Sequence, residues 1–221
     1  MITVHHLENS RSQRILWLLE ELGIDYEIKH YQRDKKTGLA PAELFEVHPL
    51  GKSPVITDDK LTIAESGLII EYLIETYGNG ELMPARGTPE NLEYRYWLHY
   101  AEGTFMTLMI ITLVLNRIES APQPFFIKPV TKSIAQKAKA GYSGPNIKLN
   151  LDYLENVLQN SKWFCGDSMS GADIMMSFPI EAAAVRTDLK ANYPALAEFH
   201  RRIKRLPAYE RAIDKGGPYA Y

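Results

Sequence analysis

The sequence predicts two domains, a small α/β domain followed by an all-helical one (fold class α/β + all-α). Strand and helix patterns alternate over residues 1–80, whereas no convincing strand pattern recurs after residue 90. Glycine and proline cluster around residues 81–89, which we predict to be a linker. We therefore expect an α/β domain over residues 1–80 and a helical domain over residues 90–221.

The first domain begins with a predicted strand, helix and strand. Residues 1–6 are apolar and β-branched, as in a strand, and residues 26–31 alternate in the same way. Between them, five apolar residues recur at helical spacing until Gly23 ends the helix: Ile15, Leu16, Leu18, Leu19 and Leu22. A helix of this length between two strands implies a right-handed crossover and parallel pairing.

The rest of this domain is predicted to be a hairpin followed by a helix. After a polar loop at residues 32–42 and a short helix at residues 41–47, we expect strands at residues 53–56 and 61–63. A run of apolar residues then marks a helix over residues 65–77. The predicted order is βαβ and then ββα.

The second domain is predicted to contain only helices. Residues 90–119 form one long helical stretch, which a proline-containing loop at residues 121–129 follows. We expect a helix at residues 131–140 and a break at residues 141–145. Further helices are predicted at residues 146–159, 169–185, 193–205 and 207–214.

Composition excludes several classes of protein. The formal net charge of −2 gives no reason to expect nucleic acid binding, and no apolar run is long enough to predict a membrane span. The first residues lack a signal-peptide pattern, and the single cysteine, Cys165, rules out an internal disulfide, so we expect a cytoplasmic protein. We expect no metal site, because His5 and His6 are neighbours on a strand and point to opposite faces.

The first chemical signal is the segment around Pro54. Proline cannot donate to a strand ladder, so Pro54 is expected at a strand start or on a sheet edge. An open edge can pair with an extended peptide, to which Val55 would offer its N–H and C=O. The alternative is an ordinary trans proline in a loop.

Three polar residues complete the candidate site. Ser66 precedes an apolar helix, where it either caps the helix or helps to bind a carboxylate. Lys52 either holds a second carboxylate or is a solvated surface lysine. Ser10 follows the first strand, where it either caps the first helix, in competition with Asn9 and Ser12, or donates a hydrogen bond to a ligand thiolate.

With these residues in place, the chain resembles the cytosolic glutathione transferase superfamily over nearly its whole length. The resemblance rests on Ser10 with Arg14-Ile15-Leu16, on residues 48–55 (HPLGKSPV), on residues 61–66 (LTIAES) leading into Ile69-x-x-Tyr72-Leu73, and on residues 170–174 (SGADI). Neither tyrosine nor cysteine stands at the end of the first strand. The chain therefore resembles the serine-type members, which include theta-like and bacterial-fungal types.

The resemblance implies a thioredoxin-like first domain that binds glutathione, with Pro54 in the cis form. Val55 would pair through its backbone with the cysteinyl part of glutathione, and Lys52 would bind the glycyl carboxylate. Ser53 belongs to the same glutathione-binding segment. No metal is implied.

The resemblance also assigns the remaining ligand contacts. Glu65 and Ser66 would bind the γ-glutamyl part, and Ser10 would be the catalytic hydroxyl that activates the thiol, with Asn9 of the same turn as the next candidate. The helical domain would supply a pocket for the electrophile. Its candidate residues are Asn9, Tyr100, Phe105 and Met106.

The implied function is conjugation of glutathione to small apolar electrophiles, as in detoxification, with reduction of organic hydroperoxides (a peroxidase activity) as a further activity. Two alternatives stay open: a protein that binds glutathione or an apolar ligand without turnover, and a glutathione-dependent isomerase or dehalogenase on the same fold. Members of this type are usually homodimers, so a homodimer is expected.

Four residues outside the site carry separate expectations. Ser170 and Asp173 match the family's buried capping box, in which the carboxylate serves folding. Cys165 is expected to pack in the interior. Glu102 lies in an apolar helical stretch and therefore needs a partner.

Overall fold

The computed structural model describes residues 1–218. Its first part is built on a four-stranded mixed sheet with the strand order β2-β1-β3-β4. β1 (Ile2–Leu7) pairs in parallel with β2 (Tyr26–Tyr31) and antiparallel with β3 (Val55–Asp58), which pairs antiparallel with β4 (Leu61–Ala64). Together with the helices, this sheet confirms the predicted βαβ-ββα order.

Three helices complete this part of the chain: α1 (Gln13–Leu22), α2 (Glu43–Val47) and α3 (Ser66–Tyr77). α1 is buried along most of its length, and its apolar residues pack in the main core. It ends at Gly23, whose φ of 64° lies in the left-handed region that glycine adopts without strain. α1 and α3 contact each other and place their N-termini beside the start of β3.

The second part begins with one uninterrupted helical run of 32 residues, Pro89–Ser120. It consists of α4 (Pro89–Tyr100), a π-helical turn (Ala101–Met106) and α5 (Thr107–Ser120). By length and composition alone this run would suffice to cross a membrane, the only such helix among the described residues. Tyr94, Trp97 and Phe105 are nevertheless buried in the core, as expected for the central helix of a folded domain.

The next helices correct two sequence predictions. α6 (Lys128–Ala138) begins inside the predicted loop, with Pro129 in its first turn, where the missing N–H costs no hydrogen bond. The predicted break at residues 141–145 is wrong, because a π-helical turn (Lys139–Ser143) carries the helix into α7 (Gly144–Asn160). Pro145 lies in the first turn of α7. Pro145 has no N–H to donate to the carbonyl four residues earlier. A π-helical turn ahead of it lets the helix continue without that hydrogen bond.

The remaining helices close the fold around α8 (Gly171–Ala184), which is buried almost throughout. They are α9 (Leu189–Asn192), which the sequence patterns did not predict, α10 (Pro194–Ile203) and α11 (Pro207–Gly216). α11 returns to the first part of the chain and packs along α1. The end of the helical part therefore lies beside the helix that carries the Ser10 turn at its N-terminus.

The predicted capping box at the start of α8 is confirmed. The Ser170 hydroxyl accepts a hydrogen bond from the Ala172 N–H at 3.3 Å, and the Asp173 carboxylate accepts one from the Ser170 N–H at 2.8 Å. The Phe164 N–H donates to the same carboxylate at 2.9 Å. Asp173 is fully buried, and burial raises its pKa to about 6.

Candidate functional site

The turn between β1 and α1 holds Ser10 at the N-terminus of α1. Asn9 adopts a φ of 51°, which turns the chain out of the sheet, and Ser10 itself is buried. The Ser10 hydroxyl lies 2.7 Å from the Ser12 hydroxyl and accepts a hydrogen bond from the Ser12 N–H at 3.3 Å. It can donate to the Ser53 hydroxyl oxygen, 3.3 Å away, so the turn touches the segment that precedes β3.

The segment before β3 is fixed by Ser53 and the cis peptide bond to Pro54. The Ser53 hydroxyl donates to the His5 carbonyl at 2.8 Å and accepts from the Leu7 N–H at 3.3 Å. β3 begins at Val55 rather than at Ser53, because proline has no N–H for the ladder.

The prediction that β3 offers an open edge at Val55 is wrong. β3 lies between β1 and β4, and Val55 is paired with His5 on one side and Ala64 on the other. Val55 is also buried. Val55 lines the cleft, but the ladders occupy both of its sides, so the main chain open to a ligand here is the part ahead of the ladder, at Ser53.

At the N-terminus of α3, Ser66 is the first helical residue and not the cap. The cap position belongs to Glu65, which is exposed and has a φ of 72°. The Ser66 hydroxyl accepts a hydrogen bond from the Arg14 guanidinium at 2.9 Å. The sequence pattern could not show this, because Arg14 lies 52 residues away along the chain.

A partly buried ionic cluster joins α1, α3, the π-helical turn and α8. The Arg14 side chain is completely buried and donates to the Met175 carbonyl at 2.7 Å and to the Glu102 carboxylate. The Arg11 Nε donates to both Glu102 oxygens, at 2.9 and 3.0 Å. Burial alone would raise the pKa of the Glu102 carboxyl, but the two guanidinium groups outweigh it and hold that pKa below its usual range.

This cluster gives Glu102 the partner that the sequence required. Arg11 was not predicted, although a cation next to Ser10 in the sequence is a usable signal. Two guanidinium groups and one carboxylate leave one positive charge in excess beside the Ser10 turn. An excess positive charge favours bound anions and thiolates.

A cleft of 270 Å³ opens between the two parts of the chain, next to this cluster. It brings together all six of the predicted glutathione-binding residues. The lining consists of Arg11, His48, Leu50, Lys52, Ser53, Pro54, Val55, Ala64, Glu65, Ser66, Glu102 and Ile110. Ser10 does not line the cleft, but its hydroxyl reaches Ser53, which does. A larger cavity of 710 Å³ between α8, α10 and α11 contains none of the predicted site residues.

None of the four predicted electrophile-pocket residues lines this cleft, and Asn9 is exposed in the turn before α1. Tyr100, Phe105 and Met106 are buried in the helical core, and the Tyr100 hydroxyl donates to Asn150. The cleft instead exposes Leu50 and Ile110 as its apolar side chains. The wide π-helical turn separates these positions, since it directs Glu102 to the cleft and Phe105 to the core.

Comparisons with known proteins agree with the fold. Residues 1–75 match the family described as glutathione S-transferase, N-terminal domain, and residues 123–211 match glutathione S-transferase, C-terminal domain. Glutathione S-transferase 3 of Schizosaccharomyces pombe is 35% identical over 215 residues, a match that covers 97% of this chain and 88% of the relative. Maleylacetoacetate isomerase of Rattus norvegicus is 26% identical over 209 residues, covering 93% of this chain and 88% of the relative.

Among solved structures, a glutathione S-transferase from Actinobacillus pleuropneumoniae superposes with a TM-score of 0.81. It is 34% identical in sequence, and the match covers 98% of this chain and 93% of that structure. Both halves of the chain thus match one family, in sequence and in fold. The chain therefore belongs to the glutathione S-transferase family of enzymes, with a thioredoxin-like N-terminal domain followed by a helical C-terminal domain.

Proposed function

We propose that this enzyme conjugates glutathione to small apolar electrophiles and that Ser10 is its catalytic hydroxyl. One observation carries the proposal: Ser10 lies at the N-terminus of α1, within 3.3 Å of a residue that lines the cleft. A hydroxyl donor and a helix N-terminus both stabilise a thiolate and so lower the pKa of the bound thiol. The serine-type mechanism is part of this proposal.

The cleft supports an extended orientation of glutathione. The γ-glutamyl carboxylate would lie at the N-terminus of α3, beside Glu65 and Ser66, where unpaired N–H groups attract an anion. The exposed Lys52 would bind the glycyl carboxylate at the other end of the cleft. The cysteinyl part would pair with the main chain at Ser53, because both neighbours of Val55 are already strands of the sheet.

In the proposed reaction the glutathione thiol loses its proton to solvent and the thiolate attacks an electrophilic atom of the second substrate. A new bond from sulfur forms, and the leaving group or the displaced electron pair accepts the negative charge. Leu50 and Ile110 are the apolar cleft residues against which an apolar substrate would rest. The same thiolate would reduce a hydroperoxide by attack on its terminal oxygen: the O–O bond breaks, and the alkoxide takes up a proton and leaves as an alcohol. The glutathione sulfenic acid that remains reacts with a second glutathione to give the disulfide and water.

Calorimetry with glutathione, followed by a panel of conjugation and hydroperoxide substrates, tests this function. We expect binding, and turnover that falls by about tenfold or more in Ser10→Ala, because a hydrogen bond to a charged group contributes about 1.5–3 kcal/mol. Glutathione binding with no turnover on any substrate would favour a binding protein. Turnover only of an isomerisation would favour an isomerase, the activity for which the rat relative is named.

We further propose a cytoplasmic homodimer. Several large apolar side chains of the helical part are exposed, and burying them against a second copy would remove them from water. The most exposed of these are Leu92 on α4, Phe125 and Phe126 before α6, and Leu149 on α7. Analytical ultracentrifugation at micromolar concentration should give twice the mass of one chain, and a monomer would contradict the proposal.

A further inference from the structure

A chain of buried hydrogen bonds connects Ser10 to the end of α11. The Ser10 and Ser12 hydroxyl oxygens are 2.7 Å apart, and the Ser12 hydroxyl lies 2.9 Å from Nδ1 of His6. The other ring nitrogen of His6, Nε2, lies 2.9 Å from the Gly216 carbonyl oxygen. All three side chains are buried, with exposed fractions of 6% for Ser10, 0% for Ser12 and 3% for His6. We call Ser10, Ser12 and His6 the serine–histidine chain.

The carbonyl at one end, together with the protonation state of His6, fixes the direction of the hydrogen bonds in this chain. A carbonyl oxygen only accepts, so Nε2 of His6 carries a hydrogen and donates it to Gly216. In a neutral ring Nδ1 then has no hydrogen and accepts from the Ser12 hydroxyl. Since Ser12 has only one hydroxyl hydrogen, the contact with Ser10 requires that Ser10 donates to Ser12.

The Ser10 hydrogen has a second acceptor, because the Ser53 hydroxyl donates to the His5 carbonyl and can only accept from Ser10, at 3.3 Å. With His6 neutral, the shorter contact with Ser12, at 2.7 Å, needs that hydrogen, which therefore points into the protein and away from the cleft. With His6 protonated, Nδ1–H donates to the Ser12 oxygen and frees the Ser12 hydrogen. Ser12 can then donate to Ser10, which releases the Ser10 hydrogen for the Ser53 oxygen at 3.3 Å or for a ligand atom in the cleft. Protonation of His6 thus reverses the direction of the hydrogen bonds along the serine–histidine chain.

The surroundings of His6 favour the neutral ring at neutral pH. Burial lowers the pKa of the His6 imidazole, and the nearby His30 on β2, with ring centroids 5.6 Å apart, lowers it further, while the Gly216 carbonyl opposes the shift. From α11, the neighbouring Lys215 ammonium is directed to Glu20 and not to this ring. The preceding residue, His5, bonds to Tyr31 and Thr57 and takes no part in the chain.

We propose that His6 and Ser12 are positioning residues that set the direction of the Ser10 hydroxyl, so that Ser10 gives up its bond to Ser12 before it donates to a bound thiolate. The proposal rests on the proposed role of Ser10 toward the glutathione thiol. In this arrangement Ser12 opposes thiol activation. The ionisation of the thiol is also coupled to the protonation of His6, which donates to the Gly216 carbonyl at the end of α11. The coupling is reciprocal, so a bound thiolate also favours the protonated form of His6.

The proposal gives Ser12→Ala an effect opposite to that of Ser10→Ala. Without the Ser12 hydroxyl, the Ser10 hydrogen has lost its inward acceptor and is free for the thiolate. One hydrogen bond of ordinary strength corresponds to a lowering of the bound thiol pKa by about 0.4–1 pH unit in Ser12→Ala. Ser10→Ala should raise that pKa, and the double variant should match Ser10→Ala, because Ser12 acts only through Ser10.

The first test is a titration of the glutathione thiolate by its ultraviolet absorbance in the wild-type enzyme and these variants. Ser177→Ala is a matched control, since it removes another buried serine hydroxyl, which donates to the Ile174 carbonyl at 2.8 Å outside the chain. It should leave the thiol pKa unchanged, and Ser12→Thr, which restores a hydroxyl, should return it toward the wild-type value. At pH values low enough to protonate His6, the fraction of bound glutathione present as thiolate should be the same in Ser12→Ala and in the wild-type enzyme.

The outcomes separate this inference from the proposed function. If Ser10→Ala raises the thiol pKa but Ser12→Ala leaves it unchanged or raises it, the inference is overturned and the role of Ser10 stands. If glutathione does not bind, or Ser10→Ala has no effect, both are overturned. Nitrogen-15 NMR of the free enzyme gives an independent test: the proposal requires a neutral His6 with its hydrogen on Nε2. A hydrogen on Nδ1 at neutral pH would overturn it whatever glutathione does.

Discussion

The buried capping carboxylate of α8 leads to a sharp prediction about stability. Asp173→Ala removes the acceptor of two main-chain donors, the N–H groups of Ser170 and Phe164, at 2.8 and 2.9 Å. Both groups then stay buried without a partner, and each such loss costs about 1–3 kcal/mol. Allowing for some relaxation, we expect the free energy of unfolding to fall by about 3 kcal/mol. For a chain of this size the midpoint temperature should fall by about 6–12 °C.

The measurement is equilibrium unfolding in urea at a fixed protein concentration, followed by tryptophan fluorescence. Asp188→Ala is the matched control, because the exposed Asp188 carboxylate caps the short helix α9 through the Ala191 N–H at 3.1 Å. Water replaces that acceptor, so the control should lose about 1 kcal/mol or less. If the two variants lose the same free energy of unfolding, then burial is not the reason why removal of Asp173 is costly.

The pH dependence of the difference in unfolding free energy between the wild-type enzyme and Asp173→Ala gives a second test. Burial raises the pKa of Asp173 to about 6 from an ordinary value of 3.8. A carboxyl with a raised pKa contributes stability that is fully present below the ordinary value and is lost as pH rises through the folded-state value. The loss of stability in Asp173→Ala should therefore be larger at pH 5 than at pH 8. A difference that grows with pH would contradict the burial of this carboxyl.

Three further predictions concern the site and the single cysteine. Lys52→Ala should raise KM for glutathione by about 1.4- to 5-fold, since an exposed ion pair contributes about 0.2–1 kcal/mol. Lys60→Ala on the β3–β4 turn should leave KM unchanged, and equal KM values in the two variants would contradict this role of Lys52. Glu102→Gln should lower the free energy of unfolding by about 1–3 kcal/mol, because it leaves the buried Arg14 without its counter-charge. Since the pKa of Glu102 is lowered in the fold, this contribution should be lost as pH falls below its ordinary range, and a loss on raising pH would contradict it. Burial raises the pKa of Cys165 to about 12, so a thiol reagent should label the native enzyme much more slowly than the unfolded chain, and equal rates would contradict that burial.

Features with local causes were predictable from the sequence. Gly23 ends α1 because the chain there needs a left-handed residue, and the Ser170 to Asp173 spacing specifies a cap whatever surrounds it. The glutathione-binding candidates converge because they lie on neighbouring segments of one sheet and helix. The π-helical turn at residues 139–143 was missed, since glycine and proline at that position are also typical of a helix end.

Features that depend on distant contacts were not predictable in the same way. Arg14 reaches Ser66 and Glu102, and His6 reaches Gly216, across 52, 88 and 210 positions of the chain. No periodicity encodes such pairs. The place of β3 inside the sheet also depends on its pairing with both β1 and β4, so Val55 could not be assigned from Pro54 alone.

The central claim is that Ser10 stabilises the thiolate of bound glutathione. The most direct measurement is the pKa of that thiol in the complex, in the wild-type enzyme, in Ser10→Ala and in Asn9→Ala, a variant of the same turn. We expect a wild-type thiol pKa below the ordinary value of about 8.5, and an increase of about 1–2 pH units in Ser10→Ala, the equivalent of one hydrogen bond to a charged group. Asn9→Ala should stay close to wild type. An unchanged pKa in Ser10→Ala, or the larger increase in Asn9→Ala, would contradict the claim.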